Sequence, residues 1–444
     1  MVTAEKTEPG QPQLEEQELP HAAPAPSKNG RPVLIDPDLD FIRSLARQSG
    51  ESYRKCFQCG TCSASCPISP DTKPFPRKEM AWALWGMRDR LLEDPDVWLC
   101  HHCNDCSVRC PRSGRPGDVL AAVRRESVIH YAAPRFLARW VSKPRFAVPL
   151  LGLPAVLLGL ALLLRDPIGD ALGLSAPAGE PIVYSYSPML PHWLLNGFFG
   201  LFTLLALLAA VVGLARFIRV IKAPMAWGAT SPPDRSFISS AWTAIKQIFI
   251  HEKFTSCTAE HSRPLSHLCV FFGFIALSVV TFWVITGPIN PLLKDGFVYP
   301  FSFWSPWKLL ANIAGAAVFS GCVLMIRQRF RNRDNAGGST YFDWVFVWTL
   351  FAVVVSGFAT ELLHYLRMAP HRHVVYFIHL VFVFALLIYL PYSKFAHLLY
   401  RTTAMIYAEY YGRNGTGSAV GVSHGAKVSE ESPAQASTSG GALP

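Results

Sequence analysis

One cysteine pattern occurs twice in this chain, and it constrains the fold more than any other feature. The first copy reads CFQCGTCSASCP, with Cys56, Cys59, Cys62 and Cys66 followed by Pro67. The second reads CHHCNDCSVRCP, with Cys100, Cys103, Cys106 and Cys110 followed by Pro111. Each is C-x2-C-x2-C-x3-C-P, the spacing that holds paired [4Fe–4S] clusters. Three thiolates with two residues between neighbours can curl around one cubane, while the fourth points away to the other. Cys56, Cys59, Cys62 and Cys110 are therefore expected to hold one cluster, and Cys100, Cys103, Cys106 and Cys66 the second. Four-cysteine zinc sites are the competing account. They seldom use three cysteines in C-x2-C-x2-C succession before C-P. The remaining cysteines, Cys257, Cys269 and Cys322, are scattered and read as apolar fillers.

The rest of the chain is unusually apolar: half of its residues are hydrophobic and 16% are charged. Membrane spans are expected from that balance. The formal charge of +10 sits mostly beside apolar segments. A positive-inside bias accounts for it more simply than nucleic acid does. Residues 1–30 lack the apolar run of a signal peptide, which keeps the cysteines in a reducing cytoplasm and argues against disulfides.

The expected fold is all-α, a helical two-cluster domain followed by a six-helix membrane bundle. Residues 1–35 read as a disordered arm and 36–135 as the cluster domain. There Leu39, Ile42, Leu45 and Ala46 fall at helical spacing behind an acidic turn. Residues 136–412 form the membrane domain and 413–444 a disordered tail. Six apolar stretches near 146–164, 192–215, 265–287, 307–326, 342–363 and 373–393 are each long enough to cross about 30 Å of hydrocarbon. The first contains Pro149 and Pro154, and a re-entrant segment is its alternative. Cations concentrate in 216–263 and 327–333, whereas 165–191 and 288–306 hold Arg165 and Lys294 alone. That asymmetry puts both termini and the cluster domain on the cytoplasmic side of the inner membrane.

Intramembrane histidines are costly and therefore candidate sites. His379 and His397 are 18 residues apart in the last apolar helix. In one continuous helix that is five turns and about 27 Å of rise, so both rings share a face. Such a face can hold two haems at different depths, with Pro391 a source of kinking. His267, level with His397, is the preferred partner for an inner haem, and Gly273 would give room for the macrocycle. His364 is the candidate partner of His379, with His371 and His373 as loop alternatives. His251 and His261 are placed in the cytoplasmic loop, His261 as a fallback for the inner haem. Packing and interfacial roles are the competing accounts of these histidines. With no C-x-x-C-H, any haem is b-type.

The cysteine motifs resemble those of the C subunit of heterodisulfide reductases, set in a helical domain like that of succinate dehydrogenase iron–sulfur subunits. The stretch from His379 through His397 to LLYRTTAMIYAEY resembles the last span of the nitrate reductase gamma subunit, a di-haem cytochrome b. In that family two further histidines stand ten residues apart; His267 matches the first, but the second position is Leu277. The fusion of both parts is similar to the C subunit of the quinone-interacting membrane-bound oxidoreductase complex. The resemblance implies two haem b groups beside the clusters, quinone as substrate, and partner subunits carrying flavin and iron–sulfur centres. It also implies a relay serving adenylylsulfate reductase. Lys294, Glu361, Arg367 and His364 are polar groups that could bond a quinone carbonyl. An anchor for a heterodisulfide reductase-like or sulfite-reducing complex is the alternative, and a membrane redox sensor a further one. No G-x-G-x-x-G or catalytic dyad occurs, so the chain supplies a redox subunit rather than a complete enzyme.

Overall fold

The computed structural model describes residues 36–70, 73–174, 186, 188–229, 233, 235–251, 263–287, 290, 301–331, 339–368 and 371–413. His261, Cys257, Lys294, the arm before residue 36 and the tail after Arg413 lie outside these. Among the described residues there are helices and turns but no strands.

The cluster domain runs through α1 (Leu39–Ser49), α2 (Thr61–Ala64), α3 (Arg77–Leu84), α4 (Arg88–Glu93), α5 (Asp96–Leu99), α6 (Asp105–Val108) and α7 (Pro116–Tyr131). Asp38 caps α1 by accepting the Phe41 N–H at 2.8 Å, which satisfies one orphan donor of the first turn. The helix buries Phe41 and Leu45, while Leu39 faces solvent. Ile42 and Ala46 pack against the same core, so the buried stripe is the expected one with Phe41 in place of Leu39. Phe41, Leu45, Met80, Leu91, Leu120 and Val123 close one core around the long α7.

A connecting helix, α8 (Arg135–Val141), leads into the membrane part: α9 (Ala147–Leu163), α10 (Arg165–Leu172), α11 (His192–Ile221), α12 (Phe237–Ile250), α13 (Arg263–Thr286), α14 (Pro306–Arg331), α15 (Tyr341–Tyr365), α16 (His371–Ile388) and α17 (His397–Tyr410). Six of the helices are long and apolar enough to cross a membrane: 144–163, 192–221, 264–286, 306–331, 341–365 and 371–388. The first is helical throughout despite Pro154 and packs on α16. The loop between α11 and α13 contains α12, which periodicity had not separated from its cationic surroundings. It buries Ser240 and Ala244 against α17.

The last apolar helix departs from expectation. It is not continuous from His379 to His397: α16 stops at Ile388, two single 3-10 turns occupy Leu390–Tyr392 and Lys394–Ala396, and α17 begins at His397. Pro391 has no N–H to continue the ladder. Ser393 then starts the next turn by accepting the Phe395 N–H at 3.3 Å. Lys394 pairs with Asp343 at the start of α15, which pins the elbow. The shared face and the 27 Å rise drawn from unbroken periodicity therefore do not hold.

The two parts of the chain are packed together. Trp98, Tyr131, Phe217, Tyr400, Ala404 and Met405 form one core across the junction. Ring centroids are 5.0 Å apart for Trp98 and Tyr400, and 5.3 Å for Phe217 and Tyr400. Of these side chains, Phe217 and Met405 each contribute about 1.5–3 kcal/mol on leaving water. Arg216, near the end of α11, donates to the carbonyls of Tyr131 and Ala132 at 3.2 and 2.9 Å. The cluster domain thus rests on the C-terminal end of α11 and along one side of α17.

Candidate iron–sulfur centre and histidine sites

The two cysteine motifs fold into near-repeats. In each, a left-handed residue precedes a single helical turn: Gly60 at φ 83° before α2, Asn104 at φ 68° before α6. Glycine takes that conformation freely, and asparagine is among the few other residues that do. The turn then buries its cysteine, Cys62 in one copy and Cys106 in the other. The fourth cysteine follows, held by its N–H to Ser63 O and Ser107 O respectively, each at 3.4 Å.

The fourth cysteines cross over. One hollow, about 380 Å³ counted with the solvent at its mouth, is lined by Cys56, Cys59, Cys62 and Cys110. The other, about 320 Å³, is lined by Cys66, Cys100, Cys103 and Cys106. These are the two sets that the spacing pairs. Backbone N–H groups point at the sulfurs: Gln58 to Cys56 at 3.5 Å, His102 to Cys100 at 3.3 Å and Gly114 to Cys110 at 3.2 Å. Burial pushes the Cys62 thiol up to about 11, with Cys56 adding to it. Burial and then Cys100 push Cys66 up to about 12. Four sulfurs that oppose one another's ionisation form a poor set of free thiols and a good set of ligands, because a shared cationic centre reverses the repulsion. The donor set fits [4Fe–4S] in both hollows.

The surroundings of the hollows differ. The first opens to solvent, with Cys59 exposed. The second is backed by α17: Arg401 donates to the carbonyl of Cys100 at 3.0 Å and lies 3.0 Å from His101 Nε2. Arg124 donates to the same carbonyl at 2.9 Å. Behind the second motif lies a buried ionic group that the sequence did not advertise. Lys78 sits among Glu79, Asp94 and Asp96, and Arg413 joins from just beyond α17, its Nε 2.8 Å from Asp96. Burial, with Asp94 and Asp96 beside it, raises the Glu79 carboxyl to about 8 despite Lys78. The packed structure therefore includes Arg413, which composition had assigned to the tail.

The histidines are distributed as follows. His397 opens α17, one turn before Arg401, with Nδ1 2.5 Å from the carbonyl of Lys394. Desolvation pushes its pKa down to about 4, so the ring is neutral. His379, on α16, sets Nδ1 3.1 Å from the Val353 carbonyl and 3.0 Å from Ser356 Oγ. An Nδ1–H held by a carbonyl leaves Nε2 as the basic nitrogen, the state a metal ligand needs. Gly357 admits the His379 ring: a Cβ there would lie 3.2 Å from its Cε1.

Gly273 does not make room for a macrocycle. A Cβ on it would meet Val318 at 2.7 Å and the Ala314 carbonyl at 2.8 Å, so its space is filled by α14. His267 meets His251, Nδ1 to Nε2 at 3.3 Å. His251, read from sequence as a loop residue, ends α12 at φ 56°. Leu277 joins an apolar cluster with Val270, Val318 and Phe395. His364 is seven residues beyond Gly357 on α15, about 10.5 Å along the axis, with its ring 5.5 Å from Tyr186. The structure does not bring His364 level with His379. Glu361 is engaged by Lys308 at 3.0 Å and by Asn312 at 3.1 Å.

Comparison with known proteins agrees with this division. Residues 52–113 match the 4Fe-4S dicluster domain family, and residues 145–417 match the family described as citrate utilization protein B. The chain is 34% identical over 116 residues to the C subunit of the H(2):CoB-CoM heterodisulfide,ferredoxin reductase of Methanothermobacter marburgensis, covering 26% of this chain and 63% of that protein. It is 41% identical over 93 residues to a protein of Archaeoglobus profundus described as like the C subunit of heterodisulfide reductase, covering 20% and 50%. To the iron-sulfur C subunit of the CoB--CoM heterodisulfide reductase of Methanopyrus kandleri it is 33% identical over 131 residues, covering 27% and 68%. The chain thus spans between half and about two thirds of the length of these relatives. No solved structure matches. The chain belongs to the citrate utilization protein B family, and ahead of its six apolar helices it carries an iron–sulfur domain of the family formed by the C subunits of heterodisulfide reductases.

Proposed function

We propose that this chain is the membrane electron-transfer subunit of a cytoplasmic-side redox complex, exchanging electrons between quinone in the bilayer and a flavin-containing partner. The observation that carries it is α17. That helix starts at His397 in the membrane part and, one turn later, hydrogen-bonds through Arg401 to the backbone of the second cysteine nest. Cys56, Cys59, Cys62 and Cys110 would hold one cluster, and Cys100, Cys103, Cys106 and Cys66 the other. His397 and His267 would bind an inner haem b, with His251 at hand as a second-ring partner. His379, with its Nδ1 held and Nε2 left basic, would supply one imidazole to an outer haem; the other residue assigned to it, His364, sits two turns away. Bound there, haems and clusters would each carry one electron, splitting the two-electron quinol couple. The chain's own part is to fix the imidazole tautomers, to hold the sulfurs by backbone N–H groups, and to tie the membrane helix to the second nest.

The resemblance makes adenylylsulfate reductase the enzyme served. The family description favours a second reading, in which the partner enzyme belongs to citrate use, and the relatives favour a heterodisulfide reductase-like complex. The partners that copurify discriminate among the three. The relay itself is tested on anaerobically purified protein given quinol. A b-type absorbance that quinol reduces is expected. His397→Ala should cut the route to the clusters while leaving a quinol-reducible haem, and His379→Ala should abolish reduction of both. Protein that binds no haem would sink the membrane half of the reading, and stoichiometric zinc the other half.

A further inference from the structure

The rim of the first cysteine nest combines two kinds of exposed side chain. It exposes apolar side chains, Phe57 at 67% and Val108 at 63%. It also exposes the cations Lys55, Arg77, Arg109 and Arg112, of which Arg112 lies 4.2 Å over the Phe57 ring. None of these four forms an ion pair among the described residues. Segments 52–70 and 107–117 contain no aspartate or glutamate. Of the acids near these cations in sequence, Glu51 is engaged by Arg54 at 3.3 Å, and Glu79 is buried and engaged by Lys78. The second nest offers no such face, since α17 and the junction core lie against it.

We propose that this rim is the docking surface for an acidic electron-transfer protein, whose redox centre exchanges single electrons with the first nest. The inference rests on the iron–sulfur reading of the nests. Charge complementarity supplies the occupant: four uncompensated cations around an exposed redox site accelerate encounter with an anionic surface. Phe57 and Val108 form the small apolar centre that such a contact desolvates. The face is solvent-directed and away from the ends of α11 and α17, so an acidic protein fits it better than a lipid headgroup does.

The test uses the full chain in nanodiscs with an acidic plant-type [2Fe–2S] ferredoxin as the probe. Reduced ferredoxin gives up one electron and the first nest's cluster gains it, followed by stopped-flow absorbance. The bimolecular rate should fall at least about tenfold between about 50 and about 500 mM salt. In the double variant Lys55→Glu, Arg109→Glu it should fall by a similar factor. Reduction by the viologen radical cation, a small positive donor, should not fall in that variant. Equal ferredoxin rates in wild type and variant, or no salt dependence, overturn the proposal. So does a loss confined to nanodiscs containing anionic lipid, which would assign the cations to headgroups. Iron content separates the two readings. Wild type lacking about eight irons defeats the cluster assignment itself, whereas full iron with insensitive rates defeats the docking surface alone.

Discussion

The two cysteine nests share one local geometry and have opposite surroundings. Both use a left-handed residue, a single helical turn, a buried central cysteine and a fourth ligand sent across to the other nest. Yet the first is rimmed by solvent-facing cations, while the second is backed by a helix that continues out of the membrane bundle. The local sequence builds the nest, and distant sequence decides what it faces. An internal repeat can therefore be locally symmetric and yet face different surroundings, the membrane helices on one side and solvent on the other.

The largest test of this comparison is exchange of the crossing ligands. Cys66→Ser should remove the membrane-side cluster and Cys110→Ser the solvent-side one, each losing about four of eight irons. Iron analysis with electron paramagnetic resonance reads the loss. Were each variant to lose the cluster of its own motif instead, the crossover would be wrong. Next comes the ionic group behind the second nest. Asp96→Asn leaves Arg413 buried beside a neutral partner, and breaking a buried pair from one side costs about 3–5 kcal/mol. Chemical denaturation should show that loss, whereas the exposed Asp40→Asn, whose carboxylate meets Arg43 at 3.1 Å, should shift it by less than about 1 kcal/mol.

A smaller effect is expected at the junction. Arg401→Ala removes the donor shared by Cys100 and Trp98 and should slow quinol-driven reduction of the membrane-side cluster by about tenfold, one charge-assisted hydrogen bond's worth. Haem reduction should be unchanged, and Arg401→Lys should restore part of the rate. The smallest contrast is reagent access. Ferricyanide should destroy the solvent-side cluster a few-fold faster, leaving an intermediate with about four irons. Simultaneous loss of both would erase the distinction.

Much of this was legible in the chain. Cysteine spacing anticipated the two groups of four cysteines that line the hollows, and runs of apolar residues anticipated six membrane-length helices. What failed did so for physical reasons. Helical counting from His379 to His397 assumed a continuous ladder, which Pro391 interrupts. Gly273 was assigned to a cofactor, but a glycine in an apolar helix serves equally to let another helix approach, and here α14 does. Gly357 plays the ring-adjacent part instead, which nothing in its neighbours announces. His251 gave no periodic signal because it lies at a helix end in a left-handed conformation. Arg401 and Arg413 act across 301 and 317 residues, separations that no local pattern encodes.

The Arg413–Asp96 pair has a consequence for synthesis. Asp96 leaves the ribosome 317 residues before its partner, an interval of roughly 15 to 60 s at ordinary elongation rates. All six apolar helices are made in that interval. Until it ends, the second nest lacks both α17 and its closing arginine, so the iron–sulfur domain waits for the membrane part to be completed. A chain stopped between the end of α17 and residue 413 would keep that helix against the second nest and leave Asp96 without its arginine. Arg413 thus couples the packing of the first domain's buried acid to completion of the membrane helices.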